Sequence, residues 1–131
     1  MSRYVADSLR KSVAERANFC FEYCLLPSEN SYFSFHIEHI VSLKHGGKTE
    51  IDNLTYSCQI CNLNKGTDLG TFLDNPVNLV RFFNPRTDRW SDHFEILSTG
   101  FLRAKTEIGE ATIKILDLNH LDSITERLEM I

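Results

Sequence analysis

Residues 35–66 read FHIEHIVSLKHGGKTEIDNLTYSCQICNLNKG. The run into this stretch, Tyr32 to Ser42 (YFSFHIEHIVS), is rich in aromatic and β-branched residues, which suits a strand. His45-Gly46-Gly47 is a turn signal, because paired glycines accept backbone angles that other residues avoid. A short second strand or irregular segment is expected to lead to Asn53. Residues 58–65 are expected to form a short helix, stopped by Gly66. The order is therefore strand, turn, short strand, helix.

On the N-terminal side, Val5, Leu9 and Val13 recur every four residues, with Ala6, Ala14 and Ala17 beside them, so residues 5–18 are expected to form an amphipathic helix. A knuckle-like stretch from Cys20 to Cys24 follows, then a loop through Pro27, Ser28, Glu29 and Asn30. On the C-terminal side, Leu79 to Phe83 is a candidate strand and Asn84 to Asp88 a loop. His93–Leu97 and Phe101–Ala104 are a candidate hairpin through Ser98-Thr99-Gly100. Residues 107–117 and 120–131 are expected helices, the last with Leu121, Ile124, Leu128 and Ile131 on its inner face. There is no internal repeat, low-complexity tract or clear linker.

A chain of 131 residues suits one compact domain, expected over 1–131 with a core at about 18–66 and an extension at 67–131. With 42% hydrophobic and 24% charged residues, the composition argues against disorder. No apolar run approaches the roughly 20 residues that span a bilayer. The start, MSRYVADSLRKSVAERA, is charged throughout, unlike a signal peptide. The expectations are no membrane association and a cytoplasmic location, where structural disulfides are rare.

The net charge of -4 does not mark a nucleic-acid binder. Residues 1–66 are balanced, with seven basic and seven acidic residues, and the excess acid lies in 67–131. A phosphate-facing surface must then be local. Candidates are Lys44, Lys48 and Lys65, and a second group at Arg81, Arg86 and Arg89. Charge alone favours scattered surface residues.

Cys58-Gln59-Ile60-Cys61 is a C-x-x-C and Cys20 to Cys24 a C-x-x-x-C. Two such pairs, a few dozen residues apart, are able to close a tetrahedral four-cysteine zinc site from Cys20, Cys24, Cys58 and Cys61. Four thiolates leave no open position, so that Zn2+ would be structural. The competing readings are four buried reduced cysteines packing as small hydrophobes, and a redox pair.

His36-Ile37-Glu38-His39 places three potential ligands or proton carriers within four residues. Asn53 and Asn62 follow, with Lys65 one helical turn after Asn62. At this point the sequence resembles the HNH, or ββα-metal, endonuclease family. The likeness runs from about Phe35 to Gly66. It includes the acidic-His pair, the His-Gly-Gly turn, the central Asn-Leu, the C-x-x-C and the Asn-x-x-Lys-Gly. Val13 to Cys24 is similar to the zinc-knuckle lead-in of such proteins. Phe83-Asn84-Pro85-Arg86 and Arg89 to Phe94 resemble an extension of bacterial, notably cyanobacterial, members.

The resemblance implies an α+β fold: a ββα core of two short antiparallel strands and a helix, with an N-terminal helix and a C-terminal hairpin plus helices. It implies His39 as general base and Glu38 as metal ligand. Asn53 would be the central Asn that holds the loop and orients the base. Asn62 would be a second ligand, and His36 a further ligand or supporting group. It implies DNA as partner rather than RNA, with a homodimer open to a double-strand cutter. Glu38 stands where an Asp is commoner, and Phe21 where the first knuckle cysteine usually lies, with Cys20 one position early.

The chemistry agrees with these roles. Phosphodiester hydrolysis needs an activated water and a neutralised phosphate. An imidazole titrates near working pH and so suits His39 to take the water's proton. A hard cation, Mg2+ or Mn2+, suits the oxygen ligands of Glu38 and Asn62. Lys65, Lys44, Lys48, Arg86 and Arg89 are then the candidate phosphate contacts. In a regular strand Glu38 and His39 point to opposite faces, so irregular backbone is expected near residues 38–40, fixed partly by Asn53.

Two other functions compete. A zinc-dependent nucleobase deaminase would use H-x-E and P-C-x-x-C. Here Ser57 replaces the proline, H-x-E sits in a strand pattern, and Cys20, Cys24, Asn62 and Lys65 would have no role. A non-catalytic zinc module that binds nucleic acid would keep cysteines and lysines without needing Glu38 or His39. Among the remaining residues, His45 reads as a turn residue, Trp90 and Phe94 as core, His93 as a surface or capping residue, and His120 as a cap between two helices.

Overall fold

A computed structural model describes residues 5–29 and 31–130. Asn30, expected in a loop, and Ile131, expected on the last helix, lie outside them. Strand β1 (Phe35–His39) runs antiparallel to β2 (Leu54–Cys58), paired one for one from Phe35 opposite Cys58 to His39 opposite Leu54. Helix α2 (Gln59–Lys65) leaves β2 without a loop. The protein is α+β, with a ββα unit at its centre.

The strands differ from expectation. β1 is half the length of the 32–42 run, and β2 follows Asn53 instead of preceding it. Short 3-10 turns, Leu43–His45 and Ile51–Asn53, occupy the segment between. β2 was hidden because it is buried at every position, so its residues do not alternate. Its polar members are satisfied instead: Thr55 Oγ1 donates to Glu22 and Ser57 Oγ to the Cys58 carbonyl. Gly66 ends α2 as expected, with φ +51 and its N–H returned to the Asn62 carbonyl.

Helix α1 (Asp7–Arg16) buries Val13, and Arg16 donates to the carbonyls of Ile51 (2.7 Å) and Leu54 (2.6 Å), fastening the helix to the start of β2. The knuckle after it is closed by Phe21 N–H to the Leu26 carbonyl and joined to β2 by Glu22 N–H to the Tyr56 carbonyl.

In the extension, β3 (Gly70–Phe72) pairs with β4 (Leu79–Arg81). A single turn, α3 (Trp90–His93), precedes the expected hairpin, β5 (Phe94–Ile96) with β6 (Leu102–Ala104). β3 and α3 escaped the sequence reading because three or four residues display no periodicity. Thr106 caps α4 (Glu107–Leu116) by accepting from Gly109 N–H, and α5 (Leu121–Met130) closes the chain. His120 accepts from Asp122 N–H at the start of α5, which is the expected cap. Trp90, partly buried, packs at a tilt against the buried Phe94, which places it against the core as expected.

One hydrophobic cluster joins the two parts, with Phe21, Tyr23, Leu54 and Tyr56 from the first and Phe82, Phe83, Phe94 and Leu116 from the second. Of the inner face expected for the last helix, Ile124 is buried but the leucines are not. Leu121 is 74% exposed and Leu128 47%, whereas Ser123, Ile124, Glu126 and Arg127 are buried.

Candidate active site

Pairing along β1 stays regular through His39, with no bulge, and the strand then ends; Ile40 and Val41 bend away. The expected irregularity is thus a termination. Glu38 and His39 nevertheless line one cleft, of about 230 Å3, because it wraps the strand end. Ser42 and Leu43 bound it beyond the strand, and Asn62, Gly66 and Thr67 bound it on the helix side.

Asn53 builds the turn that returns the chain. Its Oδ1 accepts from Val41 N–H (2.9 Å), and its Nδ2 donates to the carbonyls of Val41 (2.8 Å) and Lys48 (2.9 Å). Ile40 N–H bonds to the Asn53 carbonyl. The loop is cinched so tightly that a Cβ on Gly47 would lie 1.8 Å from the Val41 carbonyl oxygen, which requires glycine. His39 Nε2 lies 2.8 Å from Thr49 Oγ1, on the same loop. Thr49 was not found from the sequence, since a lone Thr in a turn carries no signal.

Other expected residues are placed differently. His36 faces Ser57 across the ladder and is not among the residues lining the cleft. Lys65, expected as a phosphate contact, is drawn inward: it is 7% exposed and donates through Nζ to the Ile40 carbonyl (2.8 Å). One turn past Asn62, it lies over the strand exit and acts as a strut. Burial lowers its pKa, with Glu38 pulling the other way. Arg86 is also withdrawn, held in a nearly buried ion pair with Glu22. Arg81 is bound to Asp88 through both terminal nitrogens. Lys44, Lys48 and Arg89 are exposed, as is His45 in its turn.

The cysteines gather as three, not four. Cys24, Cys58 and Cys61 are buried with their sulfurs within 4.8 Å of one another. Cys20 stands apart, half-buried in a bridge to Pro27, while Phe21 fills the core beside it. The Cys58 thiol is pushed far down because the Cys24 and Cys61 thiols donate to it, helped by the Cys61 and Ile60 N–H groups at the start of α2. Cys24 and Cys61 are pushed up, each bonded to another thiol and buried. Such soft, convergent donors fit Zn2+. His36 is outside this cluster, so the described residues do not form the His-Cys-Cys site a deaminase needs.

Compared with known families, residues 20–68 match the model of the HNH endonuclease family. This segment is an HNH domain. The match begins at Cys20 and ends two residues past Gly66, so it covers the knuckle, the ββα unit and the cleft. No curated protein and no solved structure matches the chain. HNH domains use a divalent metal, and the donors here fit one: a carboxylate on Glu38 and an amide oxygen on Asn62, both hard ligands facing a cleft with space for water and phosphate. No helix among the described residues is long and apolar enough to cross a membrane.

Proposed function

We propose that the chain is a metal-dependent endonuclease that hydrolyses phosphodiester bonds of DNA, acting in the cytoplasm as one domain over residues 1–131. The observation that supports this reading is the meeting of Glu38, His39 and Asn62 in one cleft. His39 is the general base and takes the proton from the attacking water. Its ring is oriented by Thr49, and the loop carrying Thr49 is held by Asn53. Glu38 and Asn62 hold Mg2+ or Mn2+, which when bound neutralises the phosphate and the departing oxygen. Lys44 and Lys48, exposed on the cinched loop, and Arg89 attract the backbone. Cys24, Cys58 and Cys61 hold a structural Zn2+ that ties the knuckle to α2.

Incubation of supercoiled plasmid with the protein and Mg2+ or Mn2+ tests the reading. The expected result is nicking by the wild type and its loss in His39→Ala. Binding without cleavage by the wild type would indicate a non-catalytic module. Equal nicking by both proteins would remove His39 from the mechanism.

A further inference from the structure

We propose that the pocket behind the Glu38–His39 cleft is a binding site for a small monocarboxylic acid with an apolar body, and that the buried ammonium of Lys65 receives its carboxylate. The proposal does not rest on the nuclease reading, since nothing in it requires cleavage of DNA.

The pocket forms where three elements end together. Ile40 and Val41 leave β1, Lys65 ends α2, and Phe82 and Phe83 follow β4. It holds about 260 Å3. Two of the segments that wall it continue into the cleft: Ser42 and Leu43 follow Val41, and Gly66 and Thr67 follow Lys65. The bond from Lys65 to Ile40 ties these two segments together.

Most of the wall is apolar. Ile40, Phe82 and Phe83 belong to the buried residues yet line the space, and Val41 and Leu69 flank them. Such a surface favours an apolar group over water.

Into this wall the chain puts a charge. An ammonium has three hydrogens to donate. Among the described residues Lys65 Nζ has one acceptor, the Ile40 carbonyl, and forms no ion pair. A buried cation without a counter-ion is costly, and a carboxylate carried in by a ligand offsets that cost with charge-assisted hydrogen bonds. The other cation at the pocket is already engaged: Arg81 is bound through both terminal nitrogens to Asp88 and also donates to the Phe82 carbonyl. Asn84 supplies a second donor. Its Oδ1 accepts from Arg86 N–H, so its amide nitrogen is the end with hydrogens to give.

Charge and size together select the ligand. One cation calls for one carboxylate. The volume lies below the roughly 300–1,000 Å3 of sites for drug-sized molecules, so the body is a short aliphatic chain or a single aromatic ring. A phosphate would satisfy the ammonium but leave Phe82 and Phe83 uncovered.

The test titrates the full chain, without added Mg2+ or Mn2+, with phenylacetate, phenylacetamide, acetate and inorganic phosphate, followed by amide chemical shifts and calorimetry. Phenylacetate is expected to bind once per chain and to shift the amides of Ile40, Val41, Leu69 and Phe82. Phenylacetamide lacks the charge and acetate lacks the body, so each should bind at least about tenfold more weakly. Lys65→Met should weaken phenylacetate binding about 10- to 100-fold, the worth of a hydrogen bond to a charged group. Leu69→Trp, at a position already 39% exposed, narrows the pocket and should abolish binding. It gives a second reading even where Lys65→Met does not fold. Equal binding of phenylacetate and phenylacetamide would overturn the proposal, as would inorganic phosphate binding as well as phenylacetate. Shifts confined to Glu38, His39 and Asn62, or no saturable shift below about 10 mM, would also overturn it.

Discussion

Cys61 and Asn62 are neighbours on α2, yet Cys61 lies buried with Cys24 and Cys58, while Asn62 lines the open cleft with Glu38 and His39. About 100° of helix rotation separates consecutive residues, enough to turn one side chain to the core and the next to solvent. The inner side offers soft sulfur in a dry setting, the outer side hard oxygen in a wet one. The two donor sets thus suit different classes of ion. One seven-residue helix serves both, so its anchoring matters more than its length.

The sharpest way to break this comparison is at the base. His39→Ala should lower metal-dependent nicking about 10²- to 10⁴-fold, the usual contribution of general acid–base catalysis, with unfolding still cooperative. Parallel nicking and melting curves would check it; lost activity together with lost folding would mean that the cleft is structural.

Adjacent substitutions come next. Cys61→Ser should abolish zinc binding and lower thermal stability by several degrees or more, since a structural zinc site contributes folding free energy directly. Asn62→Ala should leave stability within about 1 kcal/mol and reduce cleavage. Metal analysis and melts on both proteins decide the matter; similar profiles would erase the distinction between the two sides of α2.

A smaller effect concerns the loop. Asn53→Ala removes three hydrogen bonds, two of them to carbonyls that have little other help. It should cost about 1–3 kcal/mol by denaturant titration, with cleavage falling further than stability explains. An unchanged midpoint would show that the loop holds without Asn53.

The smallest effect sorts the cations. In salt titrations of DNA binding, Lys44→Ala or Lys48→Ala should each flatten the slope by about one phosphate contact. Lys65→Met should leave the slope unchanged, because its ammonium is spent on the Ile40 carbonyl. A flatter slope for Lys65→Met would return it to the binding surface.

What could be read early lay close together along the chain. Glu38, His39 and Asn62 were legible because a strand end and a helix that follow each other must place them near one another. Gly66 and the hairpin after His93 were legible because turn chemistry is local. Lys65 and Arg86 looked like phosphate ligands, and only the tertiary structure shows the groups they bond within the chain, Ile40 and Glu22. Phe21 gave a warning about the knuckle in advance, since the resemblance implies a cysteine at its position, but spacing could not say which sulfur would drop out.

By itself, then, the sequence determined the ββα unit, three of the residues that line the cleft and the presence of a thiol cluster, because these depend on residue type and short spacing. The tertiary structure alone decided that the cluster has three members, that Thr49 meets His39, and that α5 turns Arg127 inward and its leucines out. Those outcomes depend on which distant segments share one core. Residues as far apart as Ser31 and Glu126 are brought together only when the whole chain has buried its apolar surface.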